Sequence, residues 1–265
     1  MKTNLLFTLT FIFFTGYSYS QTSIATIESE MVLVEGGSMN LQGRLVTLPS
    51  YYCSKYEVTQ RLFEEVTGYN PVKSTSKIDP LKPIEYWSSQ YEPASDLIIF
   101  CNELNAYLNL PMVYYKDIDL KIPYTLKDTG QVGNSFMDFN SSGYRLPIGV
   151  EWEYAARGGQ KSQNYIFSGS NDINEVSIWG SLLVVGSLKP NELGIYNMTG
   201  NVSELAFDSY PYDLFQKCVL PKVWVGGAAP FQYRGGSYGY NQNLNHSESL
   251  YIPGAIGMRL FRNKN

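Results

Sequence analysis

A chain of 265 residues, 44% of them apolar and 17% charged, is long enough for one sizeable core and too apolar for wholesale disorder. A net charge of −4 and a pI near 5.2, with no run of Lys or Arg, exclude the basic footprint of a nucleic-acid binder. Aromatic residues reach 15% and 22 of them are Tyr, which suits a loop-rich fold where a ring packs and its hydroxyl still meets water or backbone.

Residues 1–20 read as a secretory signal peptide. Lys2 supplies the positive start, Leu5 to Tyr17 is apolar and aromatic, and Ser18-Tyr19-Ser20 places small residues at the cleavage positions. The apolar run is about a dozen residues, short of the roughly twenty that span a bilayer. Gln21 then begins the mature chain, and no Cys follows the run to carry a lipid. The mature protein is expected to be exported, without a membrane span, and periplasmic, cell-surface or secreted. Residues 21–30 form a short lead-in, and residues 31–265 form one domain.

Met31 to Val34 is strand-like and stops at Gly36-Gly37, and Leu45 to Leu48 and Tyr51 to Cys53 continue the extended pattern. Val58, Leu62, Phe63 and Val66 recur at helical spacing, with Thr59 able to cap that helix and Gly68 ending it. A proline-rich loop over residues 70–93 leads to a second helix from Ser95 to Asn109, capped by Ser95 or Asp96, with Leu97, Ile98, Cys101, Leu104 and Leu108 on its buried stripe. Short strands and turns follow over residues 111–143, then a helix after Pro147 that ends at Arg157-Gly158-Gly159. Residues 160–255 show no long periodic run, and Ala255 to Phe261 reads as a closing strand. The pattern predicts one α+β domain with few short helices and strands. So many loops need a fastening beyond a regular core, and a bound ion is one candidate.

Cys53, Cys101 and Cys218 are the three cysteines, an odd number that leaves at least one thiol unpaired if a disulfide forms. None has another Cys two to four residues away, and His246 is the sole histidine, which argues against a zinc site of Cys/His type. His246 lies in the polar stretch Asn245-His246-Ser247-Glu248 and reads as a solvated loop residue.

Six ordered segments carry a family resemblance: Met31–Ser38, Lys55–Gln60, Tyr144–Pro147 with Glu151–Gly159, Gly194–Glu204, Arg234–Ser237 and Gly257–Arg259. Together they resemble the formylglycine-generating enzyme family, or sulfatase-modifying factors. The resemblance implies a single loop-rich domain of C-type-lectin-like fold, often stabilised by calcium. It also implies a Ca²⁺ site made by Asn197, the carbonyls of Gly200 and Val202, and Glu204, a hard-oxygen set that suits this ion. A second calcium site of the family is expected to be lost, since Ser177-Ile178 stands where it begins.

The family's oxidases hold Cu(I) between two thiolates five residues apart, because a soft ion needs soft ligands. Counted from Gly235-Gly236-Ser237, those positions are Tyr240 and Asn245, so no copper is expected and formylglycine generation is disfavoured. The resemblance then implies a binding or structural role in a cell-envelope, secretion or gliding assembly, or recognition of a peptide or glycan. Tyr238, Tyr240 and Asn245 would line the ligand groove. The alternative is an enzyme, either a formylglycine-generating oxidase or another chemistry in that groove. It requires convergent polar groups with shifted pKa values there.

Overall fold

The computed structural model describes residues 23–41, 43–72, 77–87, 92–130, 133–207, 223–226, 232–238, 248–249 and 255–264. The expected signal peptide, Cys218, Tyr240, Asn245 and His246 lie outside the described residues.

The two ends of the domain meet on one strand. β1 (Met31–Val34), β4 (Tyr51–Glu57) and β13 (Arg259–Asn263) form an antiparallel sheet in the order β1-β4-β13. The register between β13 and β4 shifts between Arg259 and Phe261, an irregularity of the kind that bends a strand and re-aims its side chains. Arg259 thereby stands opposite Glu57. β2 (Gly37–Leu41) and β3 (Arg44–Leu48) make a separate hairpin.

The first helix, α1 (Gln60–Thr67), forms as its signals require. The Thr59 hydroxyl accepts the Leu62 N–H at 3.2 Å, and Gly68 ends the helix in the left-handed region at φ 81°. α2 (Glu92–Tyr107) begins one turn earlier than its composition suggests. Ser95 and Asp96 therefore lie inside the helix, and the Asp96 carboxylate accepts the hydroxyls of Tyr69 and Tyr86, each at 2.9 Å. Leu97, Ile98, Cys101 and Leu104 are buried as the stripe predicts, and Phe100 stacks on Phe63 with centroids 5.1 Å apart.

Buried asparagines on α2 fasten the adjoining loops. Asn102 donates from Nδ2 to the carbonyls of Tyr114 and Tyr124 at 2.8 and 2.9 Å, and its Oδ1 accepts the N–H groups of Val113 and Tyr114, both at 3.0 Å. Asn105 grips both main-chain groups of Tyr144, at 3.0 and 2.7 Å. β6 (Tyr114–Tyr115), β7 (Ser135–Asp138) and β9 (Val223–Gly226) pair next to this helix in the order β6-β7-β9.

α3 (Gly149–Ala156) is buried at every position, so it has no polar face and reads as a core helix. A five-stranded sheet lies beside it, ordered β11 (Glu248–Ser249), β10 (Gln232–Arg234), β8 (Ser203–Ala206), β12 (Ala255–Gly257) and β5 (Tyr86–Trp87). Only the β8–β12 pair is parallel. The expected single closing strand is split at Met258, so β12 serves this sheet and β13 the other. A short helix, α4 (Ile173–Val176), precedes the loop to residue 202. The architecture is α+β, loop-rich, with few short helices and strands. Among the described residues no helix is long and apolar enough to cross a membrane.

Candidate functional site

Three buried arginine–glutamate pairs join the ordered motifs. Arg145 meets Glu151 in a two-pronged pair, Nη1–Oε2 and Nη2–Oε1 both at 2.7 Å. Arg234, just ahead of the Gly-Gly-Ser turn, pairs with Glu153 at 3.4 Å, and Arg157 reaches the other oxygen of Glu153 at 3.0 Å. Arg259 pairs with Glu204, its Nη2 2.7 Å from Oε1 and its Nε 2.9 Å from Oε2. Burial alone would hold a guanidinium's pKa down, but Glu204 pushes that of Arg259 above its ordinary value, and Glu151 does the same for Arg145. The charged groups of these pairs are thus spent on one another.

Gly235 shows why the turn after Arg234 is glycine. Its φ is 82°, and a Cβ there would sit 3.1 Å from both the Met198 carbonyl and the Trp152 ring. The Gly235 carbonyl accepts the Gly200 N–H at 2.8 Å, tying this turn to the segment that carries the expected calcium residues.

Of the residues expected to bind calcium, Asn197 and Glu204 are buried and hydrogen-bonded within the fold. Glu204 is 1% exposed on β8, and each carboxylate oxygen accepts hydrogen bonds, the single Arg259 Nε–H being shared between them. Oε1 accepts Arg259 Nε and Nη2 at 3.0 and 2.7 Å, while Oε2 accepts Arg259 Nε at 2.9 Å and the Trp152 indole N–H at 2.6 Å. The Asn197 Oδ1 accepts the Gly186 N–H at 3.0 Å, and its buried Nδ2, a donor, has no hydrogen-bond partner. Among the described residues no group of three or more His, Cys, Asp or Glu converges as a metal cage.

Asn201, at φ 62°, turns its side chain inward. Its Nδ2 donates to Glu57 Oε1 at 2.9 Å and its Oδ1 accepts the Leu183 N–H at 2.9 Å. The second oxygen of Glu57 is buried without a partner, and desolvation pushes this carboxyl up to about 8, with nearby Glu204 adding to the rise against Arg259.

Tyr238 is the described part of the expected groove. Its hydroxyl meets the Lys77 ammonium, which also donates to Glu85 Oε1 at 2.6 Å. Glu85 is buried, Lys77 half-buried, and neither stands out in the sequence, because both lie in the irregular loop between α1 and β5. Desolvation raises the Tyr238 pKa, and hydrogen bonds to Glu85 and Tyr238, set against desolvation, raise that of Lys77. The Tyr238 carbonyl accepts the Gly180 N–H at 2.6 Å. Just before Gly180, Ile178 and Trp179 are 45% and 67% exposed, and Ile78, next to Lys77, is 54% exposed. Cys53 and Cys101 are buried and free, and burial pushes both thiols up.

This combination of loop-rich α+β fold, buried Arg–Glu motif pairs and Gly-Gly-Ser turn defines a sulfatase-modifying-factor scaffold. The chain belongs to the family of the sulfatase-modifying factor enzyme 1-like domain, whose model matches residues 19–264. It is similar to chaperone protein LppX of Paenibacillus barcinonensis, 34% identical over 222 residues that cover 73% of this chain and 76% of that protein. It is also similar to inactive C-alpha-formylglycine-generating enzyme 2 of Bos taurus, 32% identical over 83 residues, 26% of this chain and 28% of that protein. Among solved structures, Treponema denticola variable protein 1 superposes with a TM-score of 0.71 at 25% identity, covering 88% of this chain and 95% of the other.

Proposed function

We propose that this chain is an exported, non-catalytic member of its family that binds a protein segment at the exposed Ile178-Trp179 pair, next to the buried Tyr238. The observation that carries the reading is the exposed Ile178-Trp179 pair, held beside the Tyr238 segment by the main-chain hydrogen bond from Gly180. A large exposed aromatic beside an aliphatic is costly on a free surface and is the usual material of an interface.

The alternative, an enzyme using the same groove, needs a poised base. The Lys77–Glu85–Tyr238 cluster is the nearest arrangement to one, and its shifts run the wrong way. Raised pKa values keep the ammonium charged and the phenol protonated, whereas a general base of this kind needs its proton loosely held. Tyr240 and Asn245 in place of two thiolates also support a non-copper reading. That one relative is named a chaperone and another an inactive enzyme favours a protein client over a glycan.

The test is the aggregation of a chemically unfolded model protein on dilution, followed by light scattering with and without the mature chain. We expect wild type to slow aggregation and Ile178→Ser/Trp179→Ser to lose at least half of that effect. Equal protection by both, or no protection together with glycan binding that Trp179→Ser abolishes, would contradict the proposal.

A further inference from the structure

We propose that Glu85 and Tyr238 form a receptor for a primary ammonium, the side chain of a lysine in the bound segment, and that Lys77 occupies it in the free protein. For the nature of its ligand the inference rests on the reading of the Trp179 face as a place where a protein segment docks.

Glu85 is 4% exposed and Tyr238 is buried, so both belong to the wall of the site. Lys77 is the member nearest solvent, with 29% of its side chain exposed. Its Nζ donates to Glu85 Oε1 at 2.6 Å and to the Tyr238 hydroxyl, and it lies 5.0 Å from the centroid of the Tyr238 ring. A carboxylate beside an aromatic ring is a cation-binding combination. Glu85 Oε2 is buried and has no hydrogen-bond partner among the described residues. The site thus offers three acceptors, Oε1, Oε2 and the phenol oxygen, to match the three N–H donors of an ammonium. Lys77 fills two of them.

A tether accounts for the shortfall. The Lys77 carbonyl accepts Gln60 Nε2 at 3.0 Å, and the Asp79 N–H donates to Gln60 Oε1 at 3.1 Å, with Gln60 itself buried. The main chain at Lys77 is pinned, and its ammonium reaches the carboxylate from one fixed side. A ligand ammonium carries no such tether and is free to bridge both carboxylate oxygens. A buried carboxylate left alone is costly, so the route open to the site is exchange of one cation for another. That exchange needs motion of the Lys77 side chain only. Exposed apolar side chains adjoin the cluster along the chain: Ile78 follows Lys77, and Trp179 precedes Gly180, whose N–H donates to the Tyr238 carbonyl. The charge of the site and its apolar surroundings fit a segment in which a lysine stands among apolar residues.

The experiment measures fluorescence anisotropy of a labelled peptide of leucine and glycine with one central lysine, and of the same peptide with acetyllysine. Both are titrated with wild type, Lys77→Ala, Glu85→Gln and Trp179→Ser. We expect wild type to bind the lysine peptide about tenfold more tightly, the effect of one charge-assisted hydrogen bond. Lys77→Ala removes the internal occupant and should widen that preference, and Glu85→Gln should erase it. Equal affinity for the two peptides in both wild type and Lys77→Ala, or a preference kept in full by Glu85→Gln, would overturn the proposal. Trp179→Ser separates it from the docking face: a lysine preference and affinity unchanged in that variant would uphold the ammonium site and contradict the face. Loss of both peptides there, with no lysine preference in wild type, would uphold the face and contradict the ammonium site.

Discussion

Arg259 on the closing strand and Glu204 in the five-stranded sheet form a charge pair, with Nη2–Oε1 at 2.7 Å and both side chains buried. A buried pair of this kind specifies geometry more than it adds stability, and it becomes costly when only one partner is removed. Arg259→Met is therefore expected to destabilise the fold by about 3–5 kcal/mol. Adding Glu204→Leu should recover part of that loss, because no orphaned carboxylate remains. Urea unfolding of the two variants against wild type measures both effects, and a loss unchanged in the double variant would mean the pairing is not its source.

Trp152→Phe keeps most of the ring in the core but removes the N–H that reaches Glu204 Oε2 at 2.6 Å. Hydrogen bonds to charged groups contribute about 1.5–3 kcal/mol, and the denaturation midpoint should fall by a corresponding amount. An unchanged midpoint would show that the indole contributes only its bulk.

Glu57 supplies a pH dependence with a definite sign. Its folded pKa is raised from 4.5 to about 8, so between those values the folded state holds a proton that the unfolded state has released. The contribution is fully present below about pH 4.5 and is lost as the pH rises through about 8. Glu57→Gln mimics the protonated carboxyl and keeps an acceptor for Asn201 Nδ2, 2.9 Å away. The variant should melt at a higher temperature than wild type at pH 9, with the gap closing toward pH 5. A constant gap across that range would mean that Glu57 does not titrate as described.

Both described thiols should be chemically silent. Cys53 and Cys101 are buried, and their raised pKa values leave almost no thiolate at neutral pH. In a Cys218→Ser background the folded protein should not react with a thiol reagent within minutes, and both cysteines should react in guanidinium chloride. Prompt labelling of the folded form would contradict this burial.

The family motifs are legible in the sequence because Arg145, Trp152, Glu204, Arg234 and Arg259 each lie in a short segment with a recognisable neighbour pattern. Their pairing is not legible, since Glu204 and Arg259 are separated by 55 residues and no local periodicity links them. For the same reason the guanidinium partner of Glu204 cannot be read from the motif that carries it. Lys77 and Glu85 are harder still. They sit in a proline-rich loop, and the contact from Lys77 to Tyr238 spans 161 residues. The asparagines of α2 show a related limit: helical spacing identifies the buried face, but only the packed structure shows Asn102 and Asn105 fastening loops that ion binding could have been asked to hold.

The most direct test of a non-catalytic role is the family's own reaction. The mature chain would be incubated with Cu(I), oxygen, a reductant and a peptide bearing a sulfatase-type cysteine motif, and the product read by mass spectrometry. We expect the cysteine to be recovered unconverted, with no more aldehyde than a protein-free control. Catalytic conversion to formylglycine, over many turnovers, would contradict the reading of Tyr240 and Asn245 as replacements that remove the copper chemistry.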